Sequence, residues 1–109
     1  MGKDYLGELE ELILTTVGIL DGDAYGNSVV AEIEQQLGRV VTLPAAHVTL
    51  SRLEQKGYLH SRIGGATSVR GGRRKRIFTI TKSGIAILRS AQESRLQLWR
   101  LVPQLKLKL

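Results

Sequence analysis

The sequence predicts a mainly α-helical fold with a two-stranded β-wing, a winged helix-turn-helix followed by a C-terminal dimerisation helix. Three observations favour this class. Three helical patterns of apolar residues lie close together in the first half of the chain. Two short strand-like segments then flank a basic loop rich in glycine, and a last helical pattern follows them. The short connection between the second and third helices is typical of a helix-turn-helix.

The first helix is predicted from about Leu6 to Leu20. Its apolar residues recur at helical spacing, and they are Leu9, Leu12, Ile13, Val17 and Leu20. Three acids occupy the first turn, where the helix dipole favours negative charge, and their spacing predicts that they are exposed: Glu8, Glu10 and Glu11.

The second helix is predicted after the break at residues 21–23. Asp23 is a suitable N-cap, and the helix extends to about Leu37, where Gly38 is placed to end it. The residues expected to face inward are Val29, Val30, Ile33 and Leu37.

The third helix is predicted between Thr42, an N-cap, and about Lys56, where Gly57 stops it. Pro44 lies in the first turn, where its missing N–H costs nothing. Its inward stripe consists of Ala46, Leu50 and Leu53.

The wing and the last helix complete the chain. Strands are predicted over residues 58–62 and about 74–81, with the glycine-rich loop between them. Thr81 is the expected N-cap of a helix from Lys82 to about Val102, which Pro103 halts. We therefore expect a winged helix-turn-helix domain over residues 1–81, and a dimerisation helix with its tail over residues 82–109.

The composition restricts the class of protein. A chain of 109 residues suits one domain, and the absence of cysteine excludes disulfides and thiolate metal sites. No apolar run approaches the ~18 residues of a membrane span, and acids near the N-terminus argue against a signal peptide. We expect a soluble, cytoplasmic protein with no membrane partner. The two histidines, His47 and His60, lack metal spacing, and no catalytic motif is present, so neither an enzyme nor a cofactor or metal site is predicted.

The charge distribution points to an anionic partner. Residues 1–38 carry eight acids and one base, whereas residues 39–109 carry fifteen bases and two acids. Residues 61–81 alone hold six Lys or Arg and no acid. A charge run is often only a solvated face, but a basic hairpin directly after a helix-turn-helix favours binding of a phosphate backbone, here double-stranded DNA.

Several short motifs, in this order and spacing, resemble the PadR family of bacterial transcriptional regulators over roughly residues 5–91. They are Leu6-Gly7, Ala24-Tyr25-Gly26, the run of residues 50–58 (LSRLEQKGY), the run of residues 70–76 (RGGRRKR) and Thr81-Lys82-Ser83-Gly84. The resemblance implies a dimeric DNA-binding regulator, most often a repressor, of the small type with a single C-terminal helix. It places the third helix in the major groove and the wing on the flanking DNA.

The third helix supplies the first set of candidate DNA-binding residues. Its outward face is predicted to present Ala45, Val48, Thr49 and Arg52, with His47 and Ser51 flanking. Small residues allow close approach to the major groove, while the methyl groups, hydroxyl, imidazole and guanidinium suit base edges or phosphates. Each of two residues also has an alternative interpretation that does not involve DNA. Arg52 would form an intrahelical salt bridge with a carboxylate such as Glu54, and His47 would be only a surface histidine. The family often has tyrosine where His47 stands, which leaves base preference open.

The wing supplies the second set, Arg70, Arg73, Arg74 and Lys75. Strand side chains alternate, and Phe78 and Ile80 are expected to face the core. Arg74 and Arg76 share their parity, so Arg73 and Lys75 are the stronger candidates for contacts to phosphate or the minor groove.

The last helix, together with Leu6 of the first helix, supplies the candidate dimer interface or effector pocket: Leu6, Leu88, Ala91, Leu98, Trp99 and Val102. An apolar face about 31 Å long exceeds what one small domain can cover, which favours a second copy of the chain. Trp99 has two interpretations, packing at that interface or lining a cavity for a flat aromatic effector, as in some small PadR-like proteins. The final residues alternate Leu and Lys, and their role stays open.

Three functions compete on the sequence alone. The leading hypothesis is a homodimeric regulator that binds a pseudo-palindromic operator. The second is a winged-helix module whose basic wing docks an acidic protein. The third is general binding of double-stranded nucleic acid, against which the acidic N-terminal third argues.

Overall fold

The computed structural model describes residues 5–64 and 74–103. Their elements, in chain order, are α1 (Glu8–Leu20), α2 (Gly26–Leu37), α3 (Leu43–Gln55), β1 (Leu59–Ile63), β2 (Arg76–Ile80) and α4 (Lys82–Trp99). This is the predicted order of helices and strands. The fold is a helix-turn-helix with a two-stranded wing, followed by a long helix.

The predicted caps of α3 and α4 form as expected. Thr42 Oγ1 accepts a hydrogen bond from Ala45 N at 3.3 Å, and Pro44 lies in the first turn of α3. Thr81 Oγ1 accepts from Gly84 N at 3.0 Å at the start of α4. Gly38 ends α2 in the left-handed conformation with φ of 65°, which glycine adopts without strain.

The start of α2 differs from the prediction that Asp23 caps it. The helix begins at Gly26, and Tyr25 is its N-cap, whose N–H donates to Ser28 Oγ at 2.9 Å. The reason is a tertiary contact. Ala24 lies extended beside β2, where its carbonyl accepts a hydrogen bond from Phe78 N at 2.8 Å. This bridge holds residues 24 and 25 outside the helix.

The wing is an antiparallel hairpin in which Leu59 pairs with Ile80 and Ile63 pairs with Arg76. The strands match the predicted ones to within two residues at each end. Phe78 is buried as predicted, and Ile77 on the opposite parity is buried too, against Gly64. The alternation of strand side chains therefore fails to separate a core face from a solvent face here.

The core lies between α1, α2, α3 and the base of the wing. Its fully buried side chains include the predicted inward residues Ile13, Val17, Val29 and Ile33, the whole α3 stripe, and Leu14. Leu37 is 61% exposed, so the prediction that it faces inward is wrong, because α2 has passed the edge of the core by its last turn.

Two of the acids in α1 are buried, contrary to the prediction that they are exposed. Glu10 and Glu11 are 7% and 6% accessible. Each has a cationic partner from a distant part of the chain. Lys56 Nζ lies 2.9 Å from Glu10 Oε2, and Arg95 Nη2 lies 2.7 Å from Glu11 Oε1. Ion pairing offsets the cost of burying these carboxylates.

The start of α4 is tied to the end of the helix-turn-helix. Thr81 Oγ1 and Ser83 Oγ both donate to the carbonyl of Gly57, at 2.7 and 2.9 Å. The helix ends at Trp99, three residues earlier than predicted and before Pro103. Within the described residues, no helix is long and apolar enough to cross a membrane.

Candidate nucleic-acid interface

The outward face of α3 is open to solvent along its length. His47, Val48, Ser51 and Arg52 are exposed, and Val48 is 57% accessible despite its apolar side chain. With Gln55 they line a shallow groove along the helix. Arg52 forms no ion pair within residues 5–64 and 74–103, while Glu54 accepts a hydrogen bond from Ser61 Oγ at 2.7 Å. The structure thus does not support the salt-bridge interpretation of Arg52.

Thr49 does not belong to this face. Its side chain is 4% exposed, and its hydroxyl donates to the carbonyl of Ala45 at 2.9 Å. The predicted contact from Thr49 to a base edge is therefore wrong for this conformation. Its spacing from Ala46 and Leu53 by three and four residues already placed it near the inward stripe. Ala45 is half-buried and packs against the core, so it offers only part of its surface.

The base of the wing presents cations beside α3. Arg74 is exposed, and Arg76 is exposed and donates from Nη1 to Ser61 Oγ at 2.9 Å. The expectation that strand parity turns both toward the core is wrong, because the ladder ends at Arg76 and both side chains are exposed there. Lys75 is half-buried, with Nζ 4.1 Å from the centre of the Tyr25 ring. Arg70 and Arg73 lie outside the described residues.

A cleft lies between these cations and α3, and the start of α2 forms its third side. We call this cleft the α2–wing cleft. Its volume is about 530 Å³. It is lined by Tyr25, Gly26, Asn27, His47, Ser51, Arg74, Lys75, Arg76 and Phe78. The first amide groups of a helix lack an acceptor within the helix and therefore favour anions. The wing cations favour anions as well, so both sides of the cleft suit a negatively charged ligand. Tyr25 and Asn27 were not among the predicted site residues, although the Ala-Tyr-Gly motif marked the position.

The far end of α3 is held by Glu10. Burial opposes ionisation of this carboxyl, but the N–H of Gly7 and the ammonium of Lys56 outweigh it, so the pKa of Glu10 is lowered from its usual value. Lys56 is the C-cap residue of α3. The pair therefore fixes the C-terminal end of α3 to α1.

The predicted interface residues divide into two groups. Leu6, just before α1, and Leu88 on α4 pack against the chain's own core, which the dimer prediction did not anticipate. Leu98 and Trp99 are 67% and 43% exposed, although both are large and apolar. Val102 is half-buried beyond the end of the helix. Within residues 5–64 and 74–103, the apolar surface at the far end of α4 therefore has no partner.

A cavity of about 600 Å³ opens between α1 and the middle of α4. It is lined by Tyr5, Leu6, Glu11, Tyr58, Ile87, Ser90, Ala91, Ser94 and Arg95. Gln92 Nε2 donates to Glu11 Oε2 at 2.7 Å, whereas Arg95 is close to Oε1 without the alignment of a hydrogen bond, so that contact is electrostatic. Trp99 is not among the residues that line this cavity. It lines a separate, shallow depression together with Gln92 and Leu96.

The architecture is that of a winged-helix protein, and solved structures of that class resemble it closely. A PadR-like transcription factor from Bacteroides fragilis matches with a TM-score of 0.73 and 19% identity over 89% of this chain and 88% of that one. A PadR-like regulator from Bacillus cereus matches with a TM-score of 0.70 and 20% identity over 89% of each chain. A PadR-family regulator from Clostridium difficile matches with a TM-score of 0.63 and 24% identity over 94% of this chain and 97% of that one.

No family model matches the sequence, and no curated protein matches it. At the identities of the solved structures the likeness is one of fold. The chain has the fold of PadR-like transcriptional regulators, which confirms at the level of architecture the resemblance that the sequence motifs indicate.

Proposed function

We propose that the protein is a homodimeric transcriptional regulator that binds a specific DNA sequence and acts as a repressor. The observation that carries the proposal is the juxtaposition of the exposed face of α3 with the cations at the base of the wing. The names of the similar structures, which are transcriptional regulators, support the same class.

In this proposal α3 lies in the major groove. His47, Val48 and Arg52 reach the base edges or nearby phosphates, because their side chains are exposed on one face of a helix that a groove ~12 Å wide accommodates. The wing cations, including Arg70 and Arg73, contact the flanking backbone. These contacts position the helix without reading sequence themselves.

The homodimer proposal rests on the apolar end of α4. Leu98 and Trp99 expose large apolar surfaces that a symmetric contact with a second copy covers. Two copies of α3 then meet half-sites about one DNA turn, ~34 Å, apart on a pseudo-palindromic operator. Occupation of such a site in a promoter blocks polymerase, which is how the repressor acts.

The proposal includes a flat aromatic effector held against α4. The cavity between α1 and α4 supports it better than Trp99 does, because its ~600 Å³ suits a small organic ligand and Tyr5 contributes an aromatic wall. Titration with a planar aromatic dye tests this point. If the dye binds the wild type and Ala91→Phe abolishes this binding, the cavity is supported as the ligand site. If the dye still binds the variant, that assignment is contradicted.

The main test is a mobility-shift assay with DNA upstream of the protein's own gene, against scrambled competitor and over a salt series. We expect competitor-resistant binding, with a two-fold symmetric footprint. Arg74→Ala combined with Lys75→Ala should weaken binding and flatten the dependence of log K on log salt, by about 0.9 for each phosphate that is no longer neutralised. Arg89→Ala combined with Arg100→Ala removes two exposed cations at α4 and its end, and is the matched control.

Two results would overturn the proposal. Unchanged DNA binding by the Arg74/Lys75 double variant removes the wing from the interface. If scrambled competitor DNA abolishes binding to the upstream fragment, the cations form only an electrostatic patch that does not select a sequence. The protein-docking alternative then leads, and recovery of an acidic partner protein through the wing would establish it.

A further inference from the structure

His47 occupies a constrained position in the α2–wing cleft. Although it is exposed, its imidazole lies directly over Gly26, the first residue of α2. A Cβ atom at position 26 would be 2.7 Å from Cε1 and 3.1 Å from Nε2 of the ring. The absence of a side chain at Gly26 is therefore what lets the imidazole lie against α2 and line the cleft.

The groups around this imidazole are cationic or neutral. From the wing, Arg74, Lys75 and Arg76 line the same cleft, and from α2 come the phenol of Tyr25 and the amide of Asn27. On α3 itself, Ser51 and Arg52 lie beside it. Within residues 5–64 and 74–103, no carboxylate lines either the cleft or the groove along α3.

This arrangement places an imidazole beside a cleft whose lining attracts anions. Imidazole is the side chain that gains or loses a proton nearest neutral pH. The cleft is lined by three cations, and no acid lines its described part, so it favours an anion. A DNA phosphate that enters the cleft lies beside the imidazole, and a neighbouring anion stabilises an imidazolium.

We propose that His47 takes up a proton when a DNA phosphate enters the α2–wing cleft, so that the protein binds DNA more tightly as pH falls through neutrality. The inference rests on the proposed DNA-binding function and adds to it a pH-dependent contact at one residue. By linkage, a ligand that favours the protonated form must bind more tightly where that form prevails. Each protomer of a dimer contributes one such site.

The test is the DNA affinity of the full chain between pH 5.5 and 8 at constant ionic strength, measured with the upstream fragment. For the wild type we expect affinity to rise about 3- to 10-fold per protomer toward the acid end. His47→Gln retains a polar side chain but cannot titrate, and its affinity should change little with pH. His60→Gln is the matched control, because His60 is the other histidine of the chain and lies on β1, outside the cleft.

A second measurement reports the proton directly. Calorimetric titration of DNA into the protein near pH 7, in buffers of different ionisation enthalpy, gives the number of protons taken up. We expect net uptake for the wild type and His60→Gln, and much less for His47→Gln. This readout separates protonation of His47 from a decrease in affinity caused by repacking against Gly26.

The outcomes distinguish this inference from the function on which it rests. Sequence-specific binding that is independent of pH overturns the role of His47 and leaves the regulator intact. The same conclusion follows if His60→Gln, and not His47→Gln, removes the pH dependence. Absence of specific DNA binding at every pH overturns the regulator and this inference together.

Discussion

The backbone carbonyl of Tyr58 lies against Gly84 so closely that no side chain fits between them. A Cβ atom at position 84 would be 2.3 Å from Tyr58 O and 2.8 Å from a methylene carbon of Ile80. Gly84 is in the first turn of α4, and Tyr58 connects α3 to the wing. The contact therefore sets where the last helix leaves the DNA-binding fold.

Gly84→Ala should destabilise the protein by about 1–3 kcal/mol, because the backbone must move to admit the methyl group. Gly18→Ala is the matched control, since Gly18 is also helical but has no neighbouring atom within 4 Å of the added Cβ. It should stabilise the fold by about 0.5–1 kcal/mol through helix propensity. Urea unfolding of the two variants measures both effects, and equal stabilities would contradict the close packing at Gly84.

Glu10 should make the stability of the fold sensitive to acid. Its pKa is lowered in the folded protein, so its contribution is complete above the ordinary value of 4.5 and disappears as pH falls through the lowered one. We expect Glu10→Gln to cost about 1–3 kcal/mol at pH 7, and much less near pH 3.

The measurement is urea unfolding at both pH values, with Glu34→Gln on the exposed surface of α2 as control. If Glu10→Gln reduces stability as much at pH 3 as at pH 7, the ion pair with Lys56 is not what stabilises this corner.

Arg52→Ala should weaken binding to the upstream DNA by roughly 5- to 100-fold while leaving stability nearly unchanged. The guanidinium is exposed and forms no ion pair within the described residues, so its removal leaves no buried group unsatisfied. Arg100→Ala at the end of α4 controls for the removal of one positive charge. Equal effects of the two substitutions on affinity would place Arg52 outside the interface.

Thr49→Val should leave DNA affinity within about twofold of the wild type, because the hydroxyl is not presented to the groove. The structure shows it buried and bonded to the Ala45 carbonyl within α3. The free energy of unfolding should change by about 1 kcal/mol or less. A large drop in affinity at unchanged stability would mean that Thr49 turns outward on DNA.

Leu98→Glu should convert the proposed dimer to a monomer, because a carboxylate replaces an exposed apolar side chain where a second copy would pack. Gln97→Glu adds the same charge one residue earlier, which helical spacing places on another side of α4. Analytical ultracentrifugation compares the two. A wild type that sediments as a monomer at micromolar concentration, or a Leu98→Glu dimer, contradicts this interface.

Much of the fold followed from local patterns in the sequence. The order of elements, the caps at Thr42 and Thr81, and the stops at Gly38 and Gly57 depend on residues close together in the chain, which is why spacing and residue type predicted them. The basic character of the wing is likewise a property of composition. The predicted exposure of Glu10 is wrong even though a local signal for its burial exists, since this residue lies three positions before the core residue Ile13.

The sequence by itself determined the class of fold and the positive charge of the candidate interface, because helical periodicity, capping and charge are local. Only the tertiary structure decided that Ala24 pairs with Phe78 and delays α2, and that His47 lies over Gly26 beside the wing cations. Each of these depends on segments distant in the chain. Their relative placement is fixed by packing of the whole core, which local pattern does not encode.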